Sequence, residues 1–589
     1  MRAIQLLLFL VFFYATQTRP LDKLDLYEAS IAELQSGLEN AHFTSVDLVK
    51  AYLRRIDEVN HRGPKLNAIL ETNKRALEQA HALDKERKLI GRRSPLHGIP
   101  VLVKDSIATL ANEGMNTTAG SYALLGSVVR DEATVVAKLR KAGAIILGKT
   151  NLCEWSHARG DLPNGWSGRG GQTTNPYYPG SDPCSSSSGS AVAVAIGLAA
   201  VALGVESNGS IICPASFNNV VGIKPTVGLT SRVGGAYAAF VGYHLVGSER
   251  LVVPLSMHQD TVGPIARSVA DAAAVLTVMA GRDHRDNFTS TAPSLIPDYT
   301  QFLDRDAMRG KRFGVARKVF MNETLMRTHP SVNSEFERAL ERIRQLGGTI
   351  VDPADLPSAE EMSYRQEECV ALVQLKIQLN TYIKDLACVP TNVSSLADIL
   401  AFNDAYRDLE EPDGYEDQSS LIFAELTQGY NSSYHESLRQ NQILARDRGI
   451  DATLENYGLD ALLLPSNLNT TLPAAIAGYP MVSGKILLVP LGFHPDDTKP
   501  FPGTKLPHRV LYPAPGMPFG LSFVGTAYAE PSLIGFAYAY EQATYTRLDR
   551  RAYRNAIPTV QLRDVMRVSE GNVMVYQKEM LWCLRVRFM

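Results

Sequence analysis

Apolar positions along the chain follow two periods. In "TSVDLVKAYLRRIDEV", Val49, Tyr52, Leu53 and Ile56 fall on one helical face, and Thr44 with Asp47 supplies a capping pattern. A second, charged helix is predicted through "NKRALEQAHALDKERK". "HGIPVLVKDSI" changes the period: Gly-Pro punctuation precedes a β-branched run, which predicts a buried strand ending at Lys104. "ATVVAKLRKAGAIILGKTN" reads helix, glycine turn, strand. Alternation of this kind predicts an α/β sheet. From 286 to about 455 the chain turns mainly helical, with Leu372, Leu375, Leu379 and Tyr382 on one face of a long helix. "LDALLLPS" and "PFGLSFVG" return to strand character, and "EPSLIGFAYAYEQAT" closes with a helix. No repeat or long linker interrupts this order. One large domain over 19–565 is therefore expected, with 286–455 as an inserted helical region; residues 566–589 fit no pattern.

Composition narrows the class. The 589 residues are 45% hydrophobic and 20% charged, with net charge −2, a globular balance that can bury a large core. Near-neutrality argues against a nucleic-acid surface. The N-terminus has Arg2, a short apolar run from Leu6 to Tyr14, then small and polar residues. This predicts a secretory signal peptide over 1–18, too short to span a membrane. No later segment has spanning character, so a soluble, extracellular protein is expected. Six cysteines include no C-x-x-C pair, no H-E-x-x-H occurs, and the histidines are scattered; neither metal nor cofactor is expected. In an oxidising compartment Cys369 and Cys388 can pair, the others serving equally well as buried thiols. Sequons occur at Asn116, Asn208, Asn287, Asn322, Asn392, Asn431 and Asn469; several are candidate glycan sites, but Asn208 is expected to stay unmodified.

Two stretches carry candidate chemistry. "GAIILGKT", Gly143 to Thr150, satisfies a phosphate-loop pattern, but its middle residues Ala-Ile-Ile-Leu read as a core strand rather than an anion cradle. "DPCSSSSGSAVAVAIGLAAVALGVESNGSIICPAS", 182–216, carries a serine run and an isolated Ser210. A flexible linker would be flanked by polar sequence. Here small apolar residues follow at once, which predicts buried hydroxyls in need of partners. A serine nucleophile needs a base. No G-x-S-x-G elbow occurs in the chain. The remaining candidate base is a lysine kept neutral by burial, and Lys104 ends a buried strand. Ser210 as a helix cap, Ser186 as a turn serine and Cys184 as an alternative nucleophile are the competing readings.

Taken together, "GIPVLVKDSI", the serine-rich segment and "ESNGSIICPASFNNVVGIKPTVGLTSR" resemble the amidase signature family. Further matches run through "TTAGSYAL", "GWSGRGGQTTNPY" and "HQDTVGPIARSVADAA" to "PFGLSFVGTAYAE", covering most of residues 25 to 550. "LVQLKIQLNTYI", "LADILAFND" and "GSIICPAS" look most like the peptide amidase branch. The resemblance implies a single-domain fold with a mostly mixed sheet flanked by helices. It also implies a Ser-Ser-Lys triad of Lys104, Ser186 and Ser210, with an oxyanion hole from the backbone N–H groups of Ser207, Asn208, Gly209 and Ser210. A cis peptide at the bridging serine comes with it. Ser185 and Ser188 depart from family glycines, as does Asn208, where asparagine's tolerance of positive φ is expected to serve. The implied reaction is amide hydrolysis through an acyl-enzyme on a small-molecule or peptide amide. Two other readings are a non-catalytic binding protein keeping the fold and an amidotransferase-type subunit; a nucleotide-hydrolysing enzyme is the third.

Overall fold

The computed structural model describes residues 24–233, 252–326, 330–362, 364–488, 510–512 and 514–566. The expected signal peptide and, but for its first residue, the 566–589 tail lie outside the described residues. Thr44 and Asp47 close a reciprocal capping box on helix Ser45–Ile56. The strand-like runs assemble into one 11-stranded sheet. Its strands are β1 (Ile69–Thr72), β2 (Pro100–Lys104), β3 (Ile145–Thr150), β4 (Val201–Glu206), β5 (Val221–Lys224) and β6 (Thr261–Ala266). They continue as β7 (Arg312–Val315), β8 (Thr349–Val351), β9 (Ala461–Ser466), β10 (Met481–Leu488) and β11 (Pro518–Val524). The spatial order is β1-β3-β2-β4-β6-β5-β10-β11-β9-β7-β8. The sheet is mixed: β2 runs parallel to β3 and β4, and β4 antiparallel to β6.

Every residue of β2, β3 and β4 is buried, as expected of strands covered on both faces. Register then fixes where chemistry can occur. Val101 pairs with Val201 and Val103 with Leu203, so the carboxyl ends of β2 and β4 emerge side by side. Lys104 ends one strand and Glu206 the other. The carboxyl ends of neighbouring parallel strands are where open α/β sheets bind ligands.

"GAIILGKT" is strand, as its apolar centre requires. Gly143 turns the chain with φ 91°, and Ile145–Thr150 pairs on both edges. The Lys149 amine is buried and donates to Thr117 Oγ1 at 2.8 Å and to the Ile107 carbonyl. Helix Tyr364–Asp385 buries Leu375, Leu379 and Tyr382 along the expected face. The 286–455 region is not helical throughout, because β7 and β8 extend the sheet from within it. Those strands are four and three residues long, too short to stand out against the flanking charged helices. Among the described residues no helix is long and apolar enough to cross a membrane.

The cysteine expectation is corrected. Cys369 and Cys388 are free and exposed, while Cys184 and Cys213 form a disulfide with a Cα separation of 5.8 Å. Nothing in linear spacing distinguishes these pairings. Folding brings the turn before the serine run against helix Ile212–Phe217. A disulfide-bonded Cys184 has no free thiol, which ends the alternative reading of it as the nucleophile.

Candidate active site

The serine run packs into the core. Ser188–Ala195 forms a helix in which every residue is buried. It lies so close to neighbouring backbone that a Cβ on Gly189 would meet Ala68 O at 2.4 Å and Asn151 O at 2.5 Å. The small residues permit that approach. Ser187 Oγ donates to Val205 O at 3.2 Å, and Ser190 Oγ to Leu203 O at 2.8 Å. These hydroxyls tie the helix to β4, the reverse of a solvated linker. Ahead of the helix, Cys184 and Ser185 take positive φ values of 57° and 41°. A non-glycine residue is strained there. The disulfide and the Cys153 thiol, which donates to Ser185 O at 3.1 Å, hold this turn. The cis peptide expected at Ser186 is not found; among the described residues the cis bond is Asp352–Pro353.

Lys104 is completely buried. Its Nζ lies 2.6 Å from Ser186 Oγ and 3.1 Å from Val205 O. Burial pushes the amine down to about 7, opposed by the Cys153 thiol and the Asp260 and Glu206 carboxylates. An amine with that pKa is substantially neutral at physiological pH, and its lone pair can accept the Ser186 proton.

Ser210 is 6% exposed, whereas Lys104 and Ser186 are sealed. Of the three, Ser210 is the one with any exposed surface. The chain segments meet directly: Ser187 N donates to Ser210 O at 3.2 Å. The hydroxyl contacts differ from the expected relay. Ser210 Oγ sits 3.0 Å from Ser185 Oγ, while Ser186 Oγ is engaged by Lys104. Consecutive residues of the turn thus direct their hydroxyls to opposite sides, one to the nucleophile position and one to the amine. Ser185, expected only to form the loop, is a contact of Ser210.

Loop 207–210 is held from four sides. Ser207 Oγ donates to Asp260 Oδ1 at 2.5 Å, and Thr471 Oγ1 donates to Asn208 Oδ1 at 2.7 Å. Asn208 Nδ2 reaches Glu367 Oε1 at 3.5 Å. Glu206 Oε2 accepts from Ile211 N at 2.5 Å and Ile212 N at 2.9 Å. Burial raises the Glu206 carboxyl, countered by Lys224 behind it and by these N–H groups. The left-handed position of the loop is Gly209, with φ 74°, rather than Asn208. A Cβ at Gly209 would meet Leu468 Cδ1 at 2.6 Å. Of the supporting residues, Asp260 stands inside the matched stretch "HQDTVGPIARSVADAA", whereas Glu367 and Thr471 lie far from the motifs in sequence and carry no local signal.

Comparison with known proteins agrees across the chain. A family model described as Amidase matches residues 47–534. A protein named "probable amidase" from Arabidopsis thaliana is 39% identical over 542 residues, covering 90% of this chain and 93% of that one. The native peptide amidase of Stenotrophomonas maltophilia superposes with a TM-score of 0.75 at 39% identity, over 90% of this chain and 99% of that chain. A glutamyl-tRNA(Gln) amidotransferase chain of Synechococcus sp. (strain WH7803) is 32% identical, covering 87% of this chain and 97% of that one.

Proposed function

The chain belongs to the amidase signature family, in its peptide amidase-like branch, and is an amide-hydrolysing enzyme; we propose that it is a secreted serine amidohydrolase acting on C-terminally amidated peptides. The observation that carries the mechanism is the fully buried Lys104 amine at 2.6 Å from Ser186, on a turn packed against Ser210. Ser210 Oγ attacks the amide carbonyl. Its proton passes to Ser186, whose own proton passes to Lys104. Backbone N–H groups of residues 207–210 receive the charge that develops on the carbonyl oxygen. The relay runs back to protonate the departing nitrogen, which leaves as ammonia or an amine. Water then adds to the Ser210 ester and gives a proton to the relay, which returns it to Ser210 Oγ as the ester bond breaks and the carboxylic acid leaves.

The relay requires Ser186 Oγ to meet Ser210 Oγ, a position the Ser185 hydroxyl takes in this structure. Secretion is supported by the N-terminal pattern and by a formed disulfide, which persists in oxidising compartments. Exposed sequons at Asn287, Asn322, Asn392 and Asn431 fit a glycoprotein. Likeness to an amidotransferase chain favours a second reading, in which ammonia is freed from glutamine for partner chains.

One experiment separates these. Purified protein is incubated with amidated peptides, fatty amides, aryl amides and glutamine, and released ammonia or amine is measured. Release from amidated peptides by the chain alone, lost in Ser210→Ala, is the expected result. Release from glutamine only supports the amidotransferase reading. Equal turnover by Ser210→Ala refutes the assigned nucleophile.

A further inference from the structure

We propose that Glu367 selects the substrate, favouring amides whose acyl portion carries a cationic or N–H donor group near the scissile carbonyl. This rests on the amidase reading above and adds the substrate class to it. Glu367 lies in the first turn of helix Tyr364–Asp385 and is half-buried. One carboxylate oxygen, Oε1, accepts from Gln259 Nε2 at 2.9 Å and lies 3.5 Å from Asn208 Nδ2. The carboxylate therefore stands on loop 207–210, two residues from Ser210. Seven residues along the same helix, Gln374 accepts from Ser256 Oγ at 2.8 Å and meets His258 Nδ1 at 2.8 Å. That second contact fixes the helix, and with it Glu367, against the 256–260 loop.

The charge around Glu367 is not balanced. A carboxylate offers about four acceptor sites. Among the described residues its partners are two neutral amides on one oxygen, and the charge that acts on it is the like charge of Glu368. Burial accordingly holds its carboxyl up, to about 7. An uncompensated acid beside a reaction centre is relieved by a donor on the ligand, through a charge-assisted hydrogen bond. Hydrolysis of a primary carboxamide releases ammonia, so the leaving group carries no further donor that could distinguish one substrate from another. The donor therefore belongs to the acyl portion. An amidated peptide supplies such groups in its backbone N–H and its terminal ammonium.

The test compares phenylalanine amide with 3-phenylpropanamide, which differ by one ammonium group. Wild type, Glu367→Gln and Glu367→Ala are assayed for kcat/KM on both, with thermal melting to verify folding. Wild type is expected to prefer the ammonium-bearing amide by tenfold or more. Both variants are expected to reduce that preference by about tenfold to a hundredfold, the range of a charged hydrogen bond. Equal losses on the two amides mean that Glu367 only braces Asn208, and overturn the proposal, as does a wild type without preference. Calorimetric binding of both amides to Ser210→Ala separates the two levels. A Glu367-dependent binding preference in Ser210→Ala, found together with a wild type that turns over neither amide, leaves this proposal standing and removes the amidase reading. Absence of both binding and turnover overturns it.

Discussion

Protonation of Lys104 is the perturbation that tests the mechanism most directly. Taking this amine from its ordinary 10.5 to about 7 costs the folded state about 5 kcal/mol near neutral pH. The neutral form is the base. Activity should follow its population, with kcat/KM near its plateau at pH 8 and about a hundredfold lower at pH 5. The assay is ammonia release from an amidated dipeptide at each pH, with stability at each pH checked separately. Linkage gives a second reading of the same group. Between about pH 7 and pH 10.5 the unfolded chain holds a proton here that the folded chain does not, so this group's contribution to stability rises with pH through that window. Below pH 7 the penalty is at its full, constant value. Lys104→Met should abolish turnover and yet stabilise the fold at pH 7 by about 2 kcal/mol, the burial cost removed less the hydrogen bonds lost. A rate profile flat from pH 8 to pH 5, or a Met variant less stable than wild type, refutes a buried, neutral lysine base.

Ser186→Ala should lower kcat by about 10³-fold or more, because it breaks the relay. Ser185→Ala should cost no more than about tenfold, the worth of one neutral hydrogen bond to Ser210; single-turnover rates on one substrate decide between them, and reversed magnitudes would make Ser185 the relay. Replacing Cys184 and Cys213 by alanine together should destabilise the protein by about 3–4 kcal/mol, given the 29-residue separation they close. Chemical denaturation under non-reducing conditions measures this, and an unchanged midpoint contradicts the pairing. In protein from a secretory host, peptide mapping should find glycans among Asn287, Asn322, Asn392 and Asn431 but none on Asn208, whose side chain is bonded to Thr471 and Glu367.

Much of the fold was legible because its signals are local. A strand that is apolar throughout, a capping box at Thr44 and Asp47, and a helix face of Leu375, Leu379 and Tyr382 each depend on residues a few positions apart. The two reactive motifs were legible for the same reason, and so was the dismissal of "GAIILGKT" as a nucleotide site. β7 and β8 were missed because three or four residues carry too little period, and their strand state is supplied by pairing with β9 and with each other.

By itself, then, the order of residues determined which groups exist for chemistry: an amine at the end of a strand, a run of hydroxyls, and a serine after a glycine. Tertiary structure decided what those groups are. Burial at the end of a central strand lowers the pKa of the Lys104 amine, and in the turn with left-handed backbone at Cys184 and Ser185 it is Ser185 that contacts Ser210 and Ser186 that contacts the amine. Cys184 found Cys213 instead of Cys369 finding Cys388, and Glu367 came to loop 207–210 from 159 residues away. Desolvation and long-range contact depend on the whole folded surface, and no local pattern encodes them.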